Sequence, residues 1–209
     1  MKHLRVFCLL IVLSFAAGAL AQGSANAPAA KPATSQAQTT SQPAPSISNV
    51  IDREISLVEK EFVDAADAMP EDKFNFSPTG LNIQGSDYKG VRTFAEEVKH
   101  VATANYMFWG AITGDPMPAG VKGPNGPDDI KTKAEIMKYL KDSYTLGHKA
   151  AAMLNSENVV GTVTIMMSPK PVSRLFVSTF AVAHAFDHYG QMVEYLRMNG
   201  IVPPASRGQ

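Results

Sequence analysis

Two histidines, His184 and His188, stand four residues apart in "AVAHAFDHYGQMVEYLRMNGIVPP". Four residues is just over one helical turn, so both imidazoles leave the same face, at a spacing suited to one metal ion. Val177, Phe180, Ala181, His184, His188, Gln191, Tyr195 and Met198 share one sector of about 100° on a helical wheel. That sector is expected to face the protein interior. A single interior histidine is ordinarily a core residue whose nitrogens are hydrogen-bonded. Two in adjacent turns leave several polar nitrogens in need of partners. A third ligand would separate a metal site from a structural pair.

The other histidines are His3, His100 and His148. His3 lies in the leader described below. His100 sits in "FAEEVKHVATANYMF", at the edge of an apolar stripe beside Ala104 and Met107. His148, in "YTLGHKAAAML", holds a similar edge. Periodicity does not choose between them.

Four segments with helical periodicity must position these residues. The first spans about Ser48 to Met69, with Ile51, Ile55, Val58, Phe62 and Ala65 on one face and Pro70 as its stop. The second spans about Tyr88 to Ile112, with Phe94, Val98, Val101, Asn105 and Phe108 aligned. The third starts near Thr132 and carries Ile136, Leu140, Tyr144, Gly147, Ala151 and Leu154. The fourth spans about Val172 to Asn199, with Gly200 and then Pro203 and Pro204 ending it. "NVVGTVTIMMSPKP" reads as a short strand or extended loop, and one such segment makes no sheet. The fold class expected is all-α, a four-helix bundle. The Pro- and Gly-rich "TGDPMPAGVKGPNGPDD" after the second helix is too long for a simple up-down-up-down hairpin, and a crossover connection accounts for it.

The bundle does not fill the chain of 209 residues. "MKHLRVFCLLIVLSFAAGALAQG" has a basic start, an apolar run short for a membrane span, and Ala19-Leu20-Ala21 as a small-x-small cleavage site. Residues 1–21 are therefore expected to be a signal peptide, and the protein to be periplasmic or secreted with no stable membrane anchor after cleavage. Cys8, the only cysteine, leaves with the leader, so the mature chain relies on its core without a disulfide. Residues 22–46 are Ala-, Pro-, Ser- and Gln-rich and read as a disordered linker, which leaves 47–209 as the folded domain. The full chain carries 19 basic and 19 acidic residues. Loss of Lys2 and Arg5 makes the formal charge −2, and a nearly neutral chain has no footprint for nucleic acid.

The ending "HAFDHYGQMVEYLRMNGIVPP", with its H-x-x-x-H and the following Gly190-Gln191, resembles the last helix of the DinB-like superfamily of metal-binding four-helix proteins. "AMPEDKFNFSPT" resembles the turn closing that family's first helix, and "RTFAEEVKHVATANYMF" the second helix, which carries its first ligand. The resemblance covers about residues 48 to 206. It implies an up-down-down-up bundle and a ligand set of His100, His184 and His188, with His148 outside the triad.

Three imidazoles hold Zn²⁺, Ni²⁺ or another divalent ion and leave a position open, as catalytic rather than structural zinc sites do. An open position lowers the pKa of water there towards neutrality, or takes a substrate thiolate. Some DinB-like relatives are thiol S-transferases or thiol-dependent isomerases. Export weakens that reading, since those enzymes use cytosolic thiols, and a metal-dependent hydrolase becomes comparable. A metal-binding or stress-associated module without turnover is the third reading. The expected partner is a small molecule, a thiol among the candidates, and a homodimer is an open expectation. Asp187 and Glu97 are three residues from His184 and His100 respectively, where they would either orient those rings or stand on the solvated or helix-packing face. Gln191, Tyr195 and Asn105 continue the apolar stripes, where they would either line the cavity or bond across the core.

Overall fold

The computed structural model describes residues 45–208. The expected signal peptide and residues 22–44 of the linker lie outside the described residues.

Helix α1 (Ile47–Ala68) begins where the Ser46 hydroxyl accepts the Asn49 amide, and it ends before Pro70. Two single 3-10 turns, Glu71–Lys73 and Pro78–Gly80, lead towards α2 (Phe94–Thr113). This helix starts six residues later than the apolar pattern suggests. Thr93 and Glu96 form a reciprocal capping box, and the amides of Phe94 and Ala95 are taken by the carbonyls of Phe76 and Phe74. Left-handed Gly114 closes it. Helix α3 (Lys133–Ala152) opens with a second capping box, Thr132 with Glu135. Helix α4 (Arg174–Met198) opens on Ser173.

The segment read as a lone strand has a partner. Strand β1 (Thr162–Val163) pairs antiparallel with β2 (Val172–Ser173), which takes the two residues expected to begin the last helix. β-branched Val172 suits a pleated ladder as well as a helix start, and only the pairing decides between them. The all-α reading otherwise stands.

Cross-helix contacts give the directions of the four helices. Thr103, Asn105 and Trp109 of α2 meet Tyr139, Ser143 and Gly147 of α3 in the same order, so these helices are parallel. On α4 the order reverses: Glu97, His100 and Phe108 meet His188, His184 and Phe180. Lys133 at the start of α3 reaches the Asp67 and Met69 carbonyls at the end of α1, which makes that pair antiparallel. Each of α1 and α2 packs on both α3 and α4. The topology is up-down-down-up, and the parallel α2–α3 step requires the long connection 114–132. Phe62, Phe94, Phe108, Trp109, Leu140, Met192 and Leu196 are fully buried between the helices. Among the described residues no helix is long and apolar enough to cross a membrane.

Candidate metal centre

Antiparallel packing of α2 on α4 brings His100, His184 and His188 together, with one nitrogen from each within 4.8 Å of the others. Nε2 of His100 and Nε2 of His184 are 3.3 Å apart. The ring centroids of His184 and His188, and of His100 and His188, are both 4.6 Å apart. His188 is buried and the other two are half-buried.

The surrounding protein sets the tautomers. Nδ1 of His100 donates to the Pro124 carbonyl at 2.9 Å, since a carbonyl can only accept. Nδ1 of His188 donates to the Glu97 carboxylate at 2.6 Å. Both rings are thus anchored through Nδ1, which leaves Nε2 as the remaining nitrogen of each, and both carry the acceptor that typically orients a ligating histidine. Nδ1 of His184 is buried without a partner. Burial pushes the His184 pKa down to about 4, with the charges of His188 and His100 adding to the shift. His100 is lowered as well, again mainly by burial and despite the hydrogen bond to Pro124. Both downward shifts favour the neutral ring near pH 7.

This donor set fits a divalent cation. Nitrogens of three imidazoles converge, one further nitrogen, His184 Nδ1, is buried without a partner, and a carboxylate 2 % exposed, Glu97, stands behind His188. The Phe108 and Phe180 rings flank His184, at centroid distances of 5.8 and 6.2 Å. His100 also lines a cavity of about 360 Å³. That cavity is walled by Ala104 and Met107 of α2, Met117 and Val121 of the following loop, and Met166 of the β1–β2 connection.

The other candidate residues are distributed differently. Glu97 reaches His188 across the bundle and not His100 on its own helix, whose Nδ1 is held by the Pro124 carbonyl. Asp187 is exposed and approaches the Gln191 amide at 3.5 Å, making no hydrogen bond to His184. Gln191 is also exposed, its amide nitrogen 3.4 Å from His188 Nδ1, where Glu97 is the closer partner. Tyr195 donates to the Arg92 carbonyl, tying the end of α4 to the approach to α2. Asn105 donates to Ser143 at the buried α2–α3 contact and does not line the cavity.

His148 is held elsewhere, on the α1–α3 face. Its ring nitrogens lie 2.7 Å from Asp52 and 2.8 Å from Glu59. Burial lowers its pKa, but the hydrogen bonds and charges of Glu59 and Asp52 outweigh this and the net shift is upward. A histidine with both nitrogens given to carboxylates has no lone pair for a metal.

The Pro124 carbonyl, a site element that sequence reasoning missed, comes from the crossover loop. The loop folds back on α2: Lys99 donates to the Pro127 carbonyl and Arg92 to the Asn125 side chain. Gly126, at φ 76°, sits so close that a Cβ there would meet Thr103 Oγ1 at 2.9 Å. "GPNGP" signals a turn in the sequence, but nothing in it says which helix the turn lies against.

A four-helix bundle of this topology, with three histidines converging from its second and fourth helices, defines a candidate metal-binding bundle. The sequence profile described as the DinB superfamily matches residues 54–192, and the chain belongs to that superfamily. No curated protein matches. Among solved structures, a DinB-like protein from Bacillus cereus ATCC 10987 superposes with a TM-score of 0.54 at 13% identity, over 76% of this chain and 96% of that one. The DinB-like protein YjoA from Bacillus subtilis does so with a TM-score of 0.52 at 18% identity, over 73% and 93%. At such identities the likeness is one of fold.

Proposed function

We propose that His100, His184 and His188 hold one divalent ion, zinc first and nickel or another divalent ion next, and that the exported protein uses it to act on a small molecule. The observation that carries this reading is the convergence of three histidines, two of them anchored through Nδ1 to Pro124 and Glu97, beside a cavity that His100 lines. When bound, the ion supplies Lewis acidity and an exchangeable position. The chain's own part is positional. Pro124 and Glu97 hold two of the rings, Phe108 and Phe180 keep water from one side, and the cavity admits a ligand on the other.

Of the two enzyme readings, the lining of the cavity favours thiol S-transfer over hydrolysis. No carboxylate lines it, and Glu97 is committed to His188, so the chain offers no general base there. A substrate thiol ionises more readily than water and needs a base less.

The experiment is metal analysis of protein purified without chelator, followed by assay of the metal-loaded form with thiols plus electrophiles and with ester and amide substrates. About one ion per chain is expected, lost in the His184→Ala, His188→Ala double variant. Wild-type protein free of metal would sink the reading. Turnover only of esters or amides would replace transfer with hydrolysis.

A further inference from the structure

The cavity beside His100 is more selective than a metal centre alone would need. Its volume, about 360 Å³, is at the lower end of the range for small-molecule sites. Beyond His100 its walls offer few polar side chains. The Thr103 hydroxyl is already used, donating to the Lys99 carbonyl at 2.7 Å and lying 3.1 Å from the Tyr139 hydroxyl. Lys122 is at the wall too, an exposed cation whose one ion pair among the described residues is a 3.8 Å approach to equally exposed Asp128. The remaining side chains are Ala104, Met107, Met117, Val121, Pro124 and Met166. Three methionines supply a polarizable surface that adapts to ligand shape. A sugar or peptide placed here would lose its water without regaining hydrogen bonds, at a cost for every buried polar group.

We propose that this cavity takes the aliphatic or aromatic body of a small amphiphile whose acidic head group lies at the His100 face. This rests on the metal reading for the head group and on the cavity alone for the body. Lys122 and a His100-bound cation both favour an anion, and neither favours an ammonium group.

Two homologous probe series separate the parts: straight-chain carboxylates and the matching primary alcohols, from two to eight carbons, titrated calorimetrically into metal-loaded protein. Affinity should rise along both series by about fourfold per methylene until the cavity is full, the factor for moving one methylene out of water. Met107→Lys and, separately, loop variant Met117→Lys should flatten both series while metal content and circular dichroism stay unchanged. Carboxylates should exceed their matching alcohols in wild type, and this excess should shrink in the His184→Ala, His188→Ala variant, which leaves Lys122 as the one cation at the wall, while the chain-length slope persists. A flat alcohol series in folded wild-type protein would overturn the proposal, as would a slope that survives both methionine variants. A slope without any carboxylate excess would leave the body site standing and remove the metal centre from it.

Discussion

Glu97 of α2 accepts the Nδ1 proton of His188 of α4 at 2.6 Å, with the two side chains only 2% and 8% exposed. The bond crosses the bundle and fixes the ring whose other nitrogen faces the cluster. Glu97→Gln keeps the shape but removes the charge, and metal affinity should fall by roughly 10- to 100-fold. Asp187→Asn, at an exposed residue with no bond to His184, should change it by less than about threefold. Competition titration against a chelator of known affinity measures both. Equal losses in the two variants would remove Glu97 from its orienting role.

Gly126 couples the crossover loop to His100. Its positive φ penalises any side chain, by roughly 1–2 kcal/mol for the left-handed region, and a Cβ would press on Thr103. Gly126→Ala should therefore loosen the loop two residues from the Pro124 carbonyl, lowering the melting temperature and metal affinity together. A variant with wild-type affinity and a lower melting temperature would show that the loop's stability and the orientation of His100 are independent.

His148 predicts a pH dependence remote from the histidine cluster. Its pKa is raised in the folded state, so its contribution is complete below the unfolded value of about 6.5 and is lost as pH climbs through the folded value. His148→Gln should lower the melting temperature clearly near pH 6 and much less near pH 9. Thermal unfolding of both proteins across that range is the measurement. A gap that widens with pH would show that the Asp52–His148–Glu59 arrangement does not hold a proton.

Gly147 lets α3 approach the Trp109 indole. A Cβ there would lie 3.0 Å from Trp109 Nε1, so the fully buried indole would have to shift. Alanine gains about 1 kcal/mol of helix propensity, but overpacking costs about 1–3 kcal/mol. Gly147→Ala should be net destabilising by roughly 1 kcal/mol in denaturant unfolding. A stabilised variant would mean that the α2–α3 contact is looser than the distance implies.

The helices were legible because apolar residues recur every three or four positions, and three of the four starts lie within two residues of a Ser or Thr cap. The second start was not. Tyr88 to Thr93 continues a helix-like pattern, while the stop comes from a capping box and from distant carbonyls at Phe74 and Phe76. The wheel placed the His184–His188 stripe about a fifth of a turn from the true centre of burial. Ala181, Ala185, His188 and Met192 form that centre, with Gln191 and Met198 exposed. Hydrophobicity averages over both edges of a stripe, and the more open edge is where a site lies. His148 and His100 look alike in sequence because each sits at a stripe edge. Their difference resides wholly in what faces them, two carboxylates of α1 in one case and two histidines of α4 in the other.

His100 is oriented through the main chain of the crossover loop, and this divides the loop's duties. A peptide carbonyl survives almost any side-chain replacement around it, so Met117, Val121 and Lys122 can be exchanged without withdrawing the acceptor that His100 needs. The same strand of polypeptide thus anchors an invariable element of the centre and exposes an editable one to whatever enters the cavity. Ligand preference in this scaffold can drift, or be redesigned, by rewriting a few loop side chains while the histidine cluster is left alone.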